Sequence, residues 1–314
     1  MVEVGGVAAP LFTRLTADWR GGLSHGAEDF LQDPQIRGWL DGVEPAWTLL
    51  TFESLRALRR EPSAARTAIR IANDLSVGEI AGSPVARNTL ILLRQAIERG
   101  GLPLTATGNL SRAVVAEMCK LIEWPDYDQA DAFRLNKVIN EPDFLPLHVV
   151  RQLAQAATLV RAQRGKLVAT SLGKSMLSDA KQGSLLAILT HLAFWHMDLG
   201  YFGRGLLGSW PQADAGVVLW SLLVCANDWQ SAEKLTRLCT IPDPAMFSEM
   251  WDRMPYAMEA KVLRPLLWFG LLEHRREKIP SGRFGEHHFY RKVELFERLL
   301  AFDVQVGLSE WARH

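Results

Sequence analysis

The side chains in this sequence best suited to chemistry are cations and amides, and they gather in two places. His148, Arg151, Gln152 and Gln155 fall at helical spacing, and Arg161, Arg164 and Lys166 follow closely. Glutamine can pair with adenine edges and arginine with guanine edges, while Arg and Lys on an adjoining loop can hold phosphates. Between positions 141 and 181, six basic residues stand against three acidic ones, a local charge of +3. The second gathering is Arg275, Arg276 and Lys278, joined by His274, Arg283, His287, His288, Arg291 and Lys292. A solvated, charged loop accounts for that second set equally well.

Other chemistries lack a complete set of residues. Leu172-Gly173-Lys174-Ser175 ends like a phosphate-binding loop, but the first glycine of that pattern would fall on Val168; without it the backbone cannot wrap phosphates. His191 and His196 are five residues apart, whereas two ligands on one helical face need a spacing of four. His287 and His288 are strand neighbours and should point to opposite faces. The carboxylates Asp126, Asp128 and Asp131 lie in a turn-rich stretch suited to helix capping. No nucleophile elbow or Cys–His pairing occurs. The expectation is therefore a non-enzymatic protein with no catalytic residue, no metal ligand and no cofactor.

These residues must be positioned by helices, because helical periodicity dominates. Expected helices include Glu53–Arg60, Ala64–Asp74, Asn88–Glu98, Ser111–Ile122, Pro146–Val160, Leu185–Met197, Ala215–Cys225 and Ser231–Thr240. Expected strands are short: Leu102–Thr105, Leu159–Ala162 with Lys166–Ala169, and Leu271–His274 with His288–Arg291. The expected division is 1–83, an N-terminal helical region; 84–200, a repeat-bearing region; and 201–314, a C-terminal helical region. Trp124–Asp131 and Gly200–Asp214 read as joints.

Bulk properties narrow the classes. Lys+Arg and Asp+Glu both total 35 in 314 residues, so the whole chain lacks the basic excess of a protein that coats nucleic acid, and any such binding must come from local patches. Three cysteines without CxxC spacing read as reduced core thiols. The first residues lack a basic, then apolar, leader, and the apolar runs are too short to span a bilayer. A cytoplasmic protein without a membrane partner is expected.

One pattern ties the first basic group to an architecture. Arg99-Gly100-Gly101-Leu102-Pro103-Leu104-Thr105-Ala106-Thr107-Gly108 returns 65 residues later as Arg164-Gly165-Lys166-Leu167-Val168-Ala169-Thr170-Ser171-Leu172-Gly173. The shared R-G-x-L-x-x-T-x-x-G predicts a glycine turn, a short strand from the leucine, and a threonine N-cap opening the next helix. The last glycine would let that helix approach the strand closely.

A helix, a two-stranded turn and a capped helix resemble the winged-helix superfamily. The resemblance covers 128–180 and, more loosely, 85–123 and 258–302. It implies a mainly α protein: a helical chain with two or three winged-helix-like units bearing short β-hairpin wings. Asp131–Asn140 and Pro146–Ala157 would form the helix-turn-helix, with Arg164-Gly165 the wing tip. The segment 99–180 also looks like a region of uncharacterised bacterial proteins, some of them plasmid open-reading-frame products. The resemblance implies a bacterial nucleic-acid-binding or transcription-regulator-like protein acting on double-stranded DNA. Arg151, Gln152 and Gln155 would face bases; Arg161, Arg164 and Lys166 would grip phosphates; Arg275, Arg276 and Lys278 would contribute from the degenerate third unit. The alternative is a protein-interaction or scaffold module, binding another protein or a second copy through an aromatic face around Trp195–Trp210.

Overall fold

A computed structural model of the chain describes residues 30–62, 67–127, 139–203, 208–243, 247, 252–278 and 286–307. The expectation of a mainly α protein built from winged-helix units is overturned. Among the described residues, helix accounts for 55% and strand for 15%, and three small antiparallel sheets are present. The fold is mixed α/β.

The first unit opens with α1, here Pro84–Glu98. Ser83 caps it, its hydroxyl accepting from the Ala86 amide, and a proline at the first helical position presets φ. Strand β1 (Leu102–Pro103) follows, then α2 (Arg112–Leu121), α3 (Leu145–Ala156), and a hairpin of β2 (Val160–Gln163) and β3 (Lys166–Ala169). Gln163 pairs with Lys166, leaving Arg164 and Gly165 as a two-residue turn with φ 51° and 73°. Two successive positive φ values are the requirement of a type I′ turn, whose twist matches that of the strands. The sheet order is β1-β3-β2 in these labels.

The two copies of the repeat meet within this sheet. Leu102 lies opposite Leu167, and Pro103 opposite Lys166, in antiparallel register. They are neighbouring strands of one unit, not the cores of two. The stretch 124–131, expected as a joint, falls between those paired strands, and 128–138, which carries most of the expected helix Asp131–Asn140, lies outside the described residues. Both turn glycines have positive φ, 60° at Gly100 and 73° at Gly165. The threonines diverge. Thr170 caps the short helix α4 (Ser171–Ser175) as expected, accepting from the Gly173 amide at 3.0 Å. Thr105 instead accepts from the Asn109 amide at 3.2 Å in a turn, and Ser111 precedes α2. The final glycines diverge as well. A Cβ on Gly173 would sit 2.1 Å from the Leu159 carbonyl oxygen, whereas one on Gly108 would meet nothing within 4 Å.

The real second copy lies further along. Helix α5 (Asp179–Trp195) packs against α1 and α3. After it come α6 (Ala215–Cys225), β4 (Gln230–Ser231) and α7 (Ala232–Cys239), then a helical run in three parts. Those parts are α8 (Met254–Met258), a π-helical turn (Glu259–Leu263) and α9 (Arg264–Trp268). The hairpin of β5 (Leu272–Lys278) and β6 (Glu286–Lys292) completes a sheet of order β4-β6-β5. In both sheets the unit's first strand lies beside its last. The expected degenerate unit at 261–300 is therefore only the second half of a unit that starts at Ala215.

The third sheet was not expected. Ile69–Ile71 forms β7, in a stretch expected to be helical, and pairs antiparallel with β8 (Leu300–Phe302). Ile69 is buried, Arg70 exposed and Ile71 half-buried, an alternation that suits a pleated edge better than a helix. One continuous apolar cluster runs through both units, from Leu75 to Leu300. A smaller one gathers Trp47, Leu58, Ile69, Val217 and Trp220. Among the described residues, no helix is long and apolar enough to cross a membrane.

Candidate nucleic-acid interface

Of the residues expected to meet nucleic acid, the hairpin group stands outermost. Arg161, Arg164 and Lys166 are all exposed, as is Lys174 on α4. From Val160 to Lys174 the chain carries these four cations and no carboxylate. Among the described residues none of the four forms an ion pair; Arg161 Nη2 donates to Gln163 Oε1 at 3.3 Å. Unpaired cations on a rigid turn retain their charge for an incoming anion. Beside the hairpin runs an open cleft of about 970 Å3, bordered by Gln155, Thr158, Arg161, Gln163, Ser171 and Lys174. Gly165 places the tip and Thr170 anchors the base, its hydroxyl donating to the Thr158 carbonyl at 2.8 Å.

The expected reading helix is another matter. Pro146 through Arg151, Leu153 and Ala154 of α3 are buried, because α1, α2 and α5 surround it. Gln152 and Gln155 are half-buried. Arg151 is 6% exposed, so the expectation that it faces bases is corrected. Its guanidinium is ion-paired with Glu141 and donates through Nη2 to the Gly108 carbonyl at 2.7 Å. Glu141 is fully buried in a turn of 3-10 helix (Glu141–Asp143), where it also accepts from the Leu110 amide at 2.6 Å. His148 Nδ1 stands 3.6 Å from it. Burial works against the Glu141 carboxylate, but His148, the Leu110 amide and Arg151 outweigh burial and hold it below the usual carboxylate range. This network ties the second half of the unit to the Gly108 turn; it is architectural.

Among the described residues, the arginines of the second hairpin are ion-paired where those of the first are not. Arg275 pairs with Glu277 at 3.0 Å and Arg291 with Glu273 at 2.7 Å. Arg275 and Arg291 both lie 4.9 Å from the Trp229 ring, within cation–π range. Arg276 pairs with Asp126 at 3.2 Å. Lys278 is exposed at the end of β5, and Arg283 lies outside the described residues. On the inner face His274 stacks on Tyr290 at 4.7 Å and is paired with Asp126. His288 Nδ1 and the Tyr290 hydroxyl both reach Glu259 Oε1, at 2.7 and 2.8 Å. His287 points away, toward Phe289. Hydrogen bonding to Glu259 raises His288 above its ordinary value. Burial opposes ionisation of Glu259, but His288 and Tyr290 more than compensate and lower it.

Two further expectations change. His191 and His196 do come together, with ring centroids 5.0 Å apart: α5 ends at Trp195, so His196 is the C-cap and leaves helical geometry at φ −122°. The aromatic residues expected as a face around Trp195–Trp210 are only partly covered. Trp195 and Trp210 are half-buried and Trp210 Nε1 donates to the Ile241 carbonyl at 2.9 Å, although Tyr201 is exposed.

Residues 81–182 match the model of the Y4jL N-terminal domain family. The uncharacterised protein y4jL of Sinorhizobium fredii (strain NBRC 101917 / NGR234) is 33% identical over 109 residues, which is 35% of this chain and 49% of that protein. The chain thus spans about half the length of this curated relative. No solved structure matches. The similarity to an uncharacterised bacterial family agrees with the sequence reading, and a winged-helix family is not among these matches. The family match starts just before α1 and ends early in α5, so it coincides with the first unit and its cationic hairpin.

Proposed function

We propose that this chain is a bacterial nucleic-acid-binding regulator that engages the phosphate backbone through the β2–β3 hairpin and the cleft beside it. The observation that carries this reading is the contrast between the hairpins: three exposed cations on the first, with Lys174 beside them on α4, have no carboxylate partner among the described residues, whereas Arg275, Arg276 and Arg291 on the second are paired or stacked. Arg164 and Lys166 grip phosphates from the tip, and Arg161 and Lys174 line the cleft. Gln152 and Gln155 are the only amides of α3 near enough to the surface to touch base edges. With so little of α3 accessible, affinity rests on phosphates more than on sequence.

The test is fluorescence anisotropy with a random-sequence duplex across a salt series. Arg164→Glu with Lys166→Glu is expected to weaken binding and to lower the slope of log K against log salt by about 2, roughly one per lost phosphate contact. Arg275→Glu should leave both unchanged. Absence of any duplex binding by the intact chain at low salt would overturn the reading and favour a protein partner.

A further inference from the structure

We infer that Glu61, His191 and His196 form a binding site for one divalent transition-metal ion of the zinc class. The three side chains come from two separate places, the segment after the helix Phe52–Leu58 and the C-terminal end of α5. One ligand atom from each lies within 4.8 Å of the other two. Glu61 Oε1 is 2.9 Å from His191 Nε2 and 2.7 Å from His196 Nε2. A tetrahedral ion about 2.1 Å from each donor needs donor–donor edges of roughly 3.4 Å. The two carboxylate–imidazole edges therefore have to lengthen by about 0.5–0.7 Å for an ion to enter between the three atoms.

The chemistry of the donors selects the ion. Two neutral imidazoles and one carboxylate suit zinc, and its neighbours in the first transition row, better than calcium or magnesium, which prefer all-oxygen shells. The imidazoles are held by structure: His191 lies on the long helix α5 and its ring meets Trp195 edge-on at 5.9 Å, while His196 is fixed by the helix end. Glu61 is 48% exposed in its side chain and His196 43%, so an ion from solvent reaches the site without rearranging the fold. Three protein donors leave the fourth tetrahedral position to water. Binding would clamp the 59–62 segment onto the C-terminal end of α5.

The experiment is titration of the chelator-treated, full-length chain with Zn2+ by calorimetry and with Co2+ by proton NMR. The expected result is one equivalent of Zn2+ bound. His191→Ala, His196→Ala and Glu61→Gln should each weaken it by more than about tenfold, the loss that even a change outside the ligand shell can cause. The Co2+ form should show two hyperfine-shifted imidazole N–H resonances, one lost in each histidine variant. His287→Ala, on the second hairpin, should change nothing, and circular dichroism of each variant checks folding. No Zn2+ bound by the intact chain, or binding that survives all three substitutions, overturns the inference.

Discussion

Arg151 and Glu141 hold each other's charge in a place from which water is excluded, so removing one strands the other. Arg151→Ala would leave the buried Glu141 carboxylate without its guanidinium partner, with only the Leu110 amide and His148 beside it, and release the Gly108 carbonyl. The unfolding free energy is expected to fall by about 3–5 kcal/mol, the cost of breaking a buried pair from one side, as measured by urea denaturation; a loss under about 1 kcal/mol would mean that the pair is screened. The sequence could not foretell this. His148, Arg151, Gln152 and Gln155 look like the polar face of an exposed helix, and the distinction between an exposed and a buried arginine lies in Glu141, which neither its spacing nor its type connects to Arg151. The convergence of His191 and His196 is hidden from the sequence for a related reason: a spacing rule for helices stops applying where the helix ends, and that end is set by packing.

At the scale of elements, short-range chemistry was legible and long-range pairing was not. The β2–β3 hairpin could be read because a two-residue turn demands positive φ and Arg164-Gly165 supplies it. The helix from Ser171 could be read because Thr170 caps it. That repeat copies at 102 and 167 pair with each other, instead of nucleating separate units, is not local information. Neither are three-residue strands such as Ile69–Ile71, whose partner lies at the far end of the sequence. The Gly173 contact offers an element-scale test. A methyl group there would collide with the Leu159 carbonyl, forcing α4 away from the start of β2. Gly173→Ala is expected to destabilise the chain by about 1–3 kcal/mol, read by thermal denaturation, and to lower hydrogen-exchange protection of the Thr170 amide, which donates to that same carbonyl at 2.9 Å.

The whole molecule is joined across its two units by ionisable groups, and this gives its stability two pH limits. Asp126, from the first unit, meets His274 and Arg276 of the second hairpin. Burial disfavours its charge, but those partners prevail and lower it. Glu141 and Glu259 are lowered too. Carboxylates depressed in the folded chain contribute stability above their ordinary range of about 4, and that contribution is lost as pH falls through their folded values. His288 is raised, so its contribution is complete below about 6.5 and is lost as pH rises through its elevated folded value. The melting temperature is expected to be highest between these limits. His288→Gln should flatten the alkaline decline and spare the acidic one; an unchanged alkaline slope would assign it to another group.

The pairing of Ile69–Ile71 with Leu300–Phe302 has a consequence for the order of events in folding. These strands are about 230 residues apart, and closing so long a loop in an unfolded chain costs roughly 5 kcal/mol of entropy. Three residue pairs cannot repay that early. Once the intervening units have collapsed, the strands already lie close and the same contacts form cheaply. The pairing is thus a late event, and its amides report whether the rest of the chain has finished folding.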